Sequence, residues 1–89
     1  MEDDPKVYDK VTQLQSRLII GTKQTLKAIR NGEVAQVILA KDADEHITNN
    51  VVSEAEKYNV PYDYVDSKDK LGKACDIDVA ASTVAIKVE

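Results

Sequence analysis

At 89 residues the chain makes one domain, with room for one modest core and none for a large catalytic cleft. It has no Trp, no Phe and four Tyr, so Val, Ile, Leu and Ala must do the packing. A net charge of −4 argues against a generic nucleic-acid coat, the lone Cys75 excludes an internal disulfide, and no apolar run approaches the ~18–20 residues of a membrane span.

The N-terminal MEDDPK is acidic, unlike a signal or transit peptide, so the expectation is a cytoplasmic protein. Asp4-Pro5 reads as an N-cap followed by proline at the first helical position. Val7, Val11, Leu14 and Leu18 then recur at helical spacing. LII is a short buried strand that ends at Gly21. Thr22 caps a second helix, KQTLKAIRN, with Leu26 and Ile29 facing inward and Gly32 as its stop. AQVILAK is a near-continuous apolar run, the pattern of a strand buried on both faces.

Asp44 caps a third helix, in which Ile47, Val51, Val52 and Ala55 face the core and Asn59 marks the end. VPYDYVD is a strand whose Pro61 suits its start or a sheet edge. Ser67 caps a short fourth helix, KDKLGKAC. The loop DIDV leads to a last strand, STVAIKV. Helices and strands alternate throughout, which predicts an α/β fold: a three-layer α/β/α sandwich with a mixed four-stranded sheet.

Charge is unevenly spread along this order. Residues 22–41 hold Lys23, Lys27, Arg30 and Lys41 against Glu33, and residues 67–75 hold Lys68, Lys70 and Lys73 against Asp69. Two basic islands therefore sit in an acidic background. Brought together they make a patch that the total conceals; chance segregation gives the same count.

The stretch Gly21, Thr22, Lys23, Gln24 and Lys27 stands at the mouth of the second helix. Read plainly, it is an exposed helix face. Yet lysines there oppose the positive end of the helix dipole. A helix start offers unpaired backbone N–H groups to phosphate, and glycine allows close backbone approach. Lysine donates to guanine O6 and N7, and glutamine offers a donor and an acceptor to base edges. An A-form major groove is too deep and narrow for this, so the target is distorted RNA.

In LGKACDIDVAAS, the plain reading is a helix end and connector with alanines for tight packing. The alternative makes Ile77 and Val79 an apolar shelf for an extruded base. Cys75 reads as a small buried hydrophobe, His46 as a surface residue, and Asp42, Asp44, Asp76 and Asp78 as caps and turn residues. No metal, no cofactor and no catalytic group is expected.

The segments IIGTKQTLKAIRNGEVAQVILAKDAD and VPYDYVDSKDKLGKACDIDVAASTVAI resemble the ribosomal protein L7Ae family of kink-turn binders, closest to its small bacterial members. The resemblance covers about residues 7–86. It implies an α/β/α sandwich and binding to kink-turns, bent RNA duplexes built on tandem sheared G·A pairs beside a bulge. The family's Gly-x-Asn-Glu-x-x-Lys stands here as Gly21, Thr22, Lys23, Gln24, Thr25, Leu26 and Lys27. The small bacterial members look as if they use this Lys-Gln variant. The resemblance gives Lys23 and Gln24 the guanine-reading role and Lys27 an RNA contact in the same groove. The second motif aligns with Leu71, Gly72, Ala74, Ile77, Asp78 and Val79, whose loop reaches the bulged nucleotides. Asp76 stands where the family often has glycine, and Glu45 replaces a common proline.

The expected RNA-binding residues are Gly21, Thr22, Lys23, Gln24, Lys27, Lys41, Leu71, Gly72, Lys73, Ile77, Asp78 and Val79. The resemblance implies a monomeric, non-enzymatic module whose partner is a structured RNA with a kink-turn, ribosomal RNA and riboswitches included. The competing expectation is a protein-interaction or ribosome-assembly module with a degenerate RNA face, for which Lys23 and Gln24 would not matter.

Overall fold

The structure, a computed structural model, describes residues 4–88, with side chains from Val7 onward. Helices α1 (Asp4–Gln13), α2 (Thr22–Arg30), α3 (Glu45–Lys57) and α4 (Lys68–Ala74) alternate with strands β1 (Leu18–Ile20), β2 (Val34–Ala40), β3 (Tyr62–Val65) and β4 (Thr83–Lys87). The expected α/β order is present. The sheet runs β1-β4-β2-β3, and β4 is antiparallel to both β1 and β2 while β3 is parallel to β2.

Each face of the sheet carries its own core. Ile38, Ala40, Val84 and Ile86 pack with Val7, Val11 and Leu71 of α1 and α4. Val37, Leu39 and Ala85 pack with Ala28, Ile29, Val51 and Ala55 of α2 and α3. Alternate residues of a strand point to opposite faces, so the apolar runs of β2 and β4 serve both layers. This is the three-layer sandwich expected.

Several local expectations change. The first helix ends at Gln13. A 3-10 turn, Gln15–Arg17, intervenes, so Leu18 opens β1 rather than continuing the helix. Strand β1 is an edge strand, half-buried with Ile20 exposed, because only β4 pairs with it. Thr22 is the first residue of α2, and Gly21 holds the cap position at φ 111° with no side-chain cap. The side chain of Asp4, expected as the α1 cap, lies outside the described side chains.

The other stops and caps behave as expected. Asn59 (φ 60°) and Gly32 (φ 73°) end their helices in the left-handed region that their residue types tolerate. Asp44 accepts from the His46 N–H, and Ser67 accepts from the Lys70 N–H. Cys75 is buried, and burial pushes its thiol pKa up to about 11. No helix of the described residues is long and apolar enough to cross a membrane.

Candidate nucleic-acid interface

Strand directions assemble the site. The ends of β1, β2 and β3 and the start of β4 fall along one rim of the sheet. Backbone bonds stitch that rim. The Gly21 N–H donates to Thr83 O at 3.1 Å, Ala40 N–H to Ser82 O at 3.1 Å, and Lys41 N–H to Val65 O at 2.8 Å. The start of α2, the Lys41–Asp44 turn, the start of α4 and the loop entering β4 therefore share one edge. Both basic islands meet there, although they lie far apart in sequence.

The α2 start is open. Its first-turn N–H groups have no intrahelical partner and no side chain caps them. Gly21 is needed on two counts: its φ of 111° strains any L residue, and a Cβ there would stand 2.7 Å from Gln24 Oε1. Lys23, Gln24 and Lys27 sit on the outer side of the helix, with Lys23 and Gln24 exposed, and Lys23 and Lys27 lie four apart on one helix face. Thr22 is half-buried and donates its hydroxyl to Thr83 Oγ1 at 3.4 Å. At the other end of α2, Arg30 forms an ion pair with Glu54 and leaves the patch. Glu54's hydrogen bond, and then its charge, raise the Arg30 pKa.

The second motif divides into support and surface. Leu71, expected to meet RNA, is fully buried in the α1/α4 core, so its side chain forms no part of the rim surface. Gly72 is buried as well. A Cβ there would come within 2.1 Å of the Val79 carbonyl oxygen, so the bare glycine lets the loop fold back on α4. The Ile77 N–H donates to Gly72 O at 3.1 Å and the Ala81 N–H to Lys68 O at 3.0 Å. Asp76 holds φ 63° at the turn between them, where aspartate replaces the expected glycine.

Folded this way, the loop and α4 enclose an open cavity of about 220 Å³ lined by Asp69, Lys73, Ile77, Asp78, Val79 and Ala80. Val79 is 70% exposed, the most exposed large apolar side chain among the described residues. Ile77 is half-buried against the core, so it anchors the loop that presents Val79. Lys41 is exposed at the end of β2, beside Asp42.

Sequence reasoning missed three supports. Asp42 Oδ1 accepts from the Lys68 N–H at 2.9 Å, a cap supplied by a neighbouring loop. The Tyr8 hydroxyl donates to Asp66 Oδ1 at 2.6 Å and accepts from the Ser67 N–H at 3.2 Å, tying α1 to the α4 start. Thr83 is the third. All depend on strand order, and no spacing in the chain signals them. Among the described residues, no group of three or more His, Cys, Asp or Glu is placed to hold a metal ion.

Comparison with known proteins gives this geometry its relatives. A protein of Halalkalibacterium halodurans named RNA-binding protein is 54% identical over 80 residues, spanning 90% of this chain and 96% of that one. An RNA-binding protein of Geobacillus stearothermophilus is 51% identical over 79 residues, 89% of this chain and 95% of its own. Among solved structures, the Giardia lamblia 15.5kD RNA binding protein superimposes with a TM-score of 0.94 at 28% identity, covering 100% of this chain and 77% of that one. The profile of the ribosomal protein L7Ae/L30e/S12e/Gadd45 family matches residues 5–89. The chain belongs to the ribosomal protein L7Ae/L30e/S12e/Gadd45 family.

Proposed function

We propose that the rim binds RNA and recognises the kink-turn. One observation carries this reading: the α2 start is uncapped, and among the described residues no carboxylate pairs with Lys23 or Lys27 beside it. An open helix start with cations attracts an anionic ligand that also presents hydrogen-bonding edges. The relatives' names and the Lys-Gln motif point to the same ligand.

In this reading Lys23 and Gln24 meet guanine edges in a groove opened by sheared G·A pairs. The open backbone of Gly21 and Thr22 allows close approach. Lys27, Lys41 and Lys73 hold phosphates. Val79, with Ile77 beneath it, gives the bulged nucleotides an apolar shelf, while Asp78 borders the cavity below it. Leu71 and Gly72 act through the loop they support. No bond is made or broken. The protein stabilises the kinked conformer by binding it more tightly than the extended one. Ribosomal RNA and riboswitches, met in the cytoplasm by a single copy, fit this chemistry.

The test is a titration of a labelled kink-turn duplex beside the same duplex with its G·A pairs replaced by Watson–Crick pairs. Tight binding to the first alone supports the reading. Equal weak binding to both overturns it and turns the search towards a protein partner.

A further inference from the structure

The underside of the α2 start holds an unusual group of hydroxyls. Thr22 and Thr25 lie three apart on one face of the helix, directed at the sheet. Thr25 is fully buried, and its hydroxyl has no hydrogen-bond partner. Thr83, the first residue of β4, is 1% exposed. Among the described residues, the 3.4 Å bond from Thr22 to Thr83 is the one side-chain hydrogen bond made by the first turn of α2. The Thr83 carbonyl also accepts from the Gly21 N–H. Its neighbour Ser82 accepts from Ala40. Thr83 therefore sits where the helix start, the end of β2 and the loop from α4 converge.

A bond of 3.4 Å is longer than the ~2.7–2.8 Å usual between hydroxyls. The helix start is thus held from below by one long tie and one backbone bond. Lys23 and Gln24 follow directly on Thr22, so their aim depends on that tie.

We propose that Thr83 is a positioning residue for RNA recognition: through Thr22 and Gly21 it holds the helix start in the orientation that Lys23 and Gln24 need. It touches no RNA itself. The inference rests on the kink-turn reading above, and it makes the two RNA-facing segments one mechanical unit.

The experiment is a double-mutant cycle on RNA affinity with Thr22→Val, Thr83→Val and the pair together, plus Thr83→Ser. Valine removes the hydroxyl and keeps the shape; serine keeps the hydroxyl. Each valine variant is expected to weaken kink-turn binding about fivefold, leaving binding to the Watson–Crick control unchanged. The pair should lose no more than either single change, because one shared bond is removed. Thr83→Ser should bind as the wild type does.

Additive losses, equal losses on both RNAs, or an unchanged affinity in Thr22→Val would overturn the proposal. A purely structural threonine lowers the melting temperature without altering the ratio of the two affinities. Should Thr83→Val fail to fold, Thr22→Val and Thr83→Ser still decide. A wild type with no preference for the kink-turn removes the kink-turn reading. A preference kept by every variant removes the positioning role alone.

Discussion

Helices α2 and α4 begin on the same rim and are finished in opposite ways. The α4 start is closed: Ser67, Asp42 and Tyr8 take up its backbone N–H groups, and Lys70 pairs with Asp66. The α2 start has no such cap, and Lys23 beside it faces solvent. A capped start is worth about 1 kcal/mol to stability. Leaving α2 uncapped forgoes that and keeps a site for an outside partner. One helix is built to hold the loop; the other is built to be met.

That contrast can be broken at several points. Lys23→Ala/Gln24→Ala should have the largest effect, since removing the partner of each guanine edge costs about 1–3 kcal/mol of kink-turn binding. Titration of the labelled RNA measures it, and the melting temperature should hardly move. Gly72→Ala strikes the other helix. Its Cβ overlaps the Val79 carbonyl, so stability should fall by about 1–3 kcal/mol. Denaturant unfolding and faster exchange of the Ile77 amide would report it.

Ser67→Ala removes one cap from α4 and should cost about 1 kcal/mol of folding stability. RNA affinity should stay the same, because that start is already closed to ligands. Salt separates the two sets of lysines. With Lys23, Lys27, Lys41 and Lys73 on phosphates or guanines, log K should fall with log salt at a slope of roughly −4. Lys73→Ala should flatten the slope by about 1. Lys70→Ala should leave it unchanged, since Lys70 already pairs with Asp66.

The smallest effect concerns acid. The hydrogen bond from Tyr8, and then that from Lys70, hold the Asp66 carboxyl below its usual pKa despite an opposing cost of desolvation. A depressed folded-state pKa contributes stability above the unfolded value, and that contribution is lost as pH falls through the folded value. Tyr8→Phe should therefore narrow the stability gap between neutral and acid pH. Melting curves from neutral pH down to about pH 2 would show it; identical acid limbs for the two proteins would refute the linkage.

The same two helices show what is readable along a chain. Ser67 and Asp44 were legible as caps because a cap bonds to N–H groups two or three residues away. Asn59 and Gly32 were legible as stops for the same local reason. Thr22 misled because it looks like a cap. The backbone instead placed Gly21 there and turned the threonine towards β4. Leu71 misled because a motif shared with RNA-binding relatives does not say which of its residues face outward. Its place on the inner side of α4, against Val11 and Val65, is a matter of packing.

The sequence by itself determined the alternation of helix and strand, most of the stops, and the presence of lysines at one helix start. These follow from propensities and bonds that act within a few residues. Only the tertiary structure decided that the two basic islands share a rim. It also decided that Gly72 shapes the loop, and that Thr83 and Asp42 support helices far from them in the chain. Those facts depend on which strands pair and in which direction, and pairing is settled by burying both sheet faces at once.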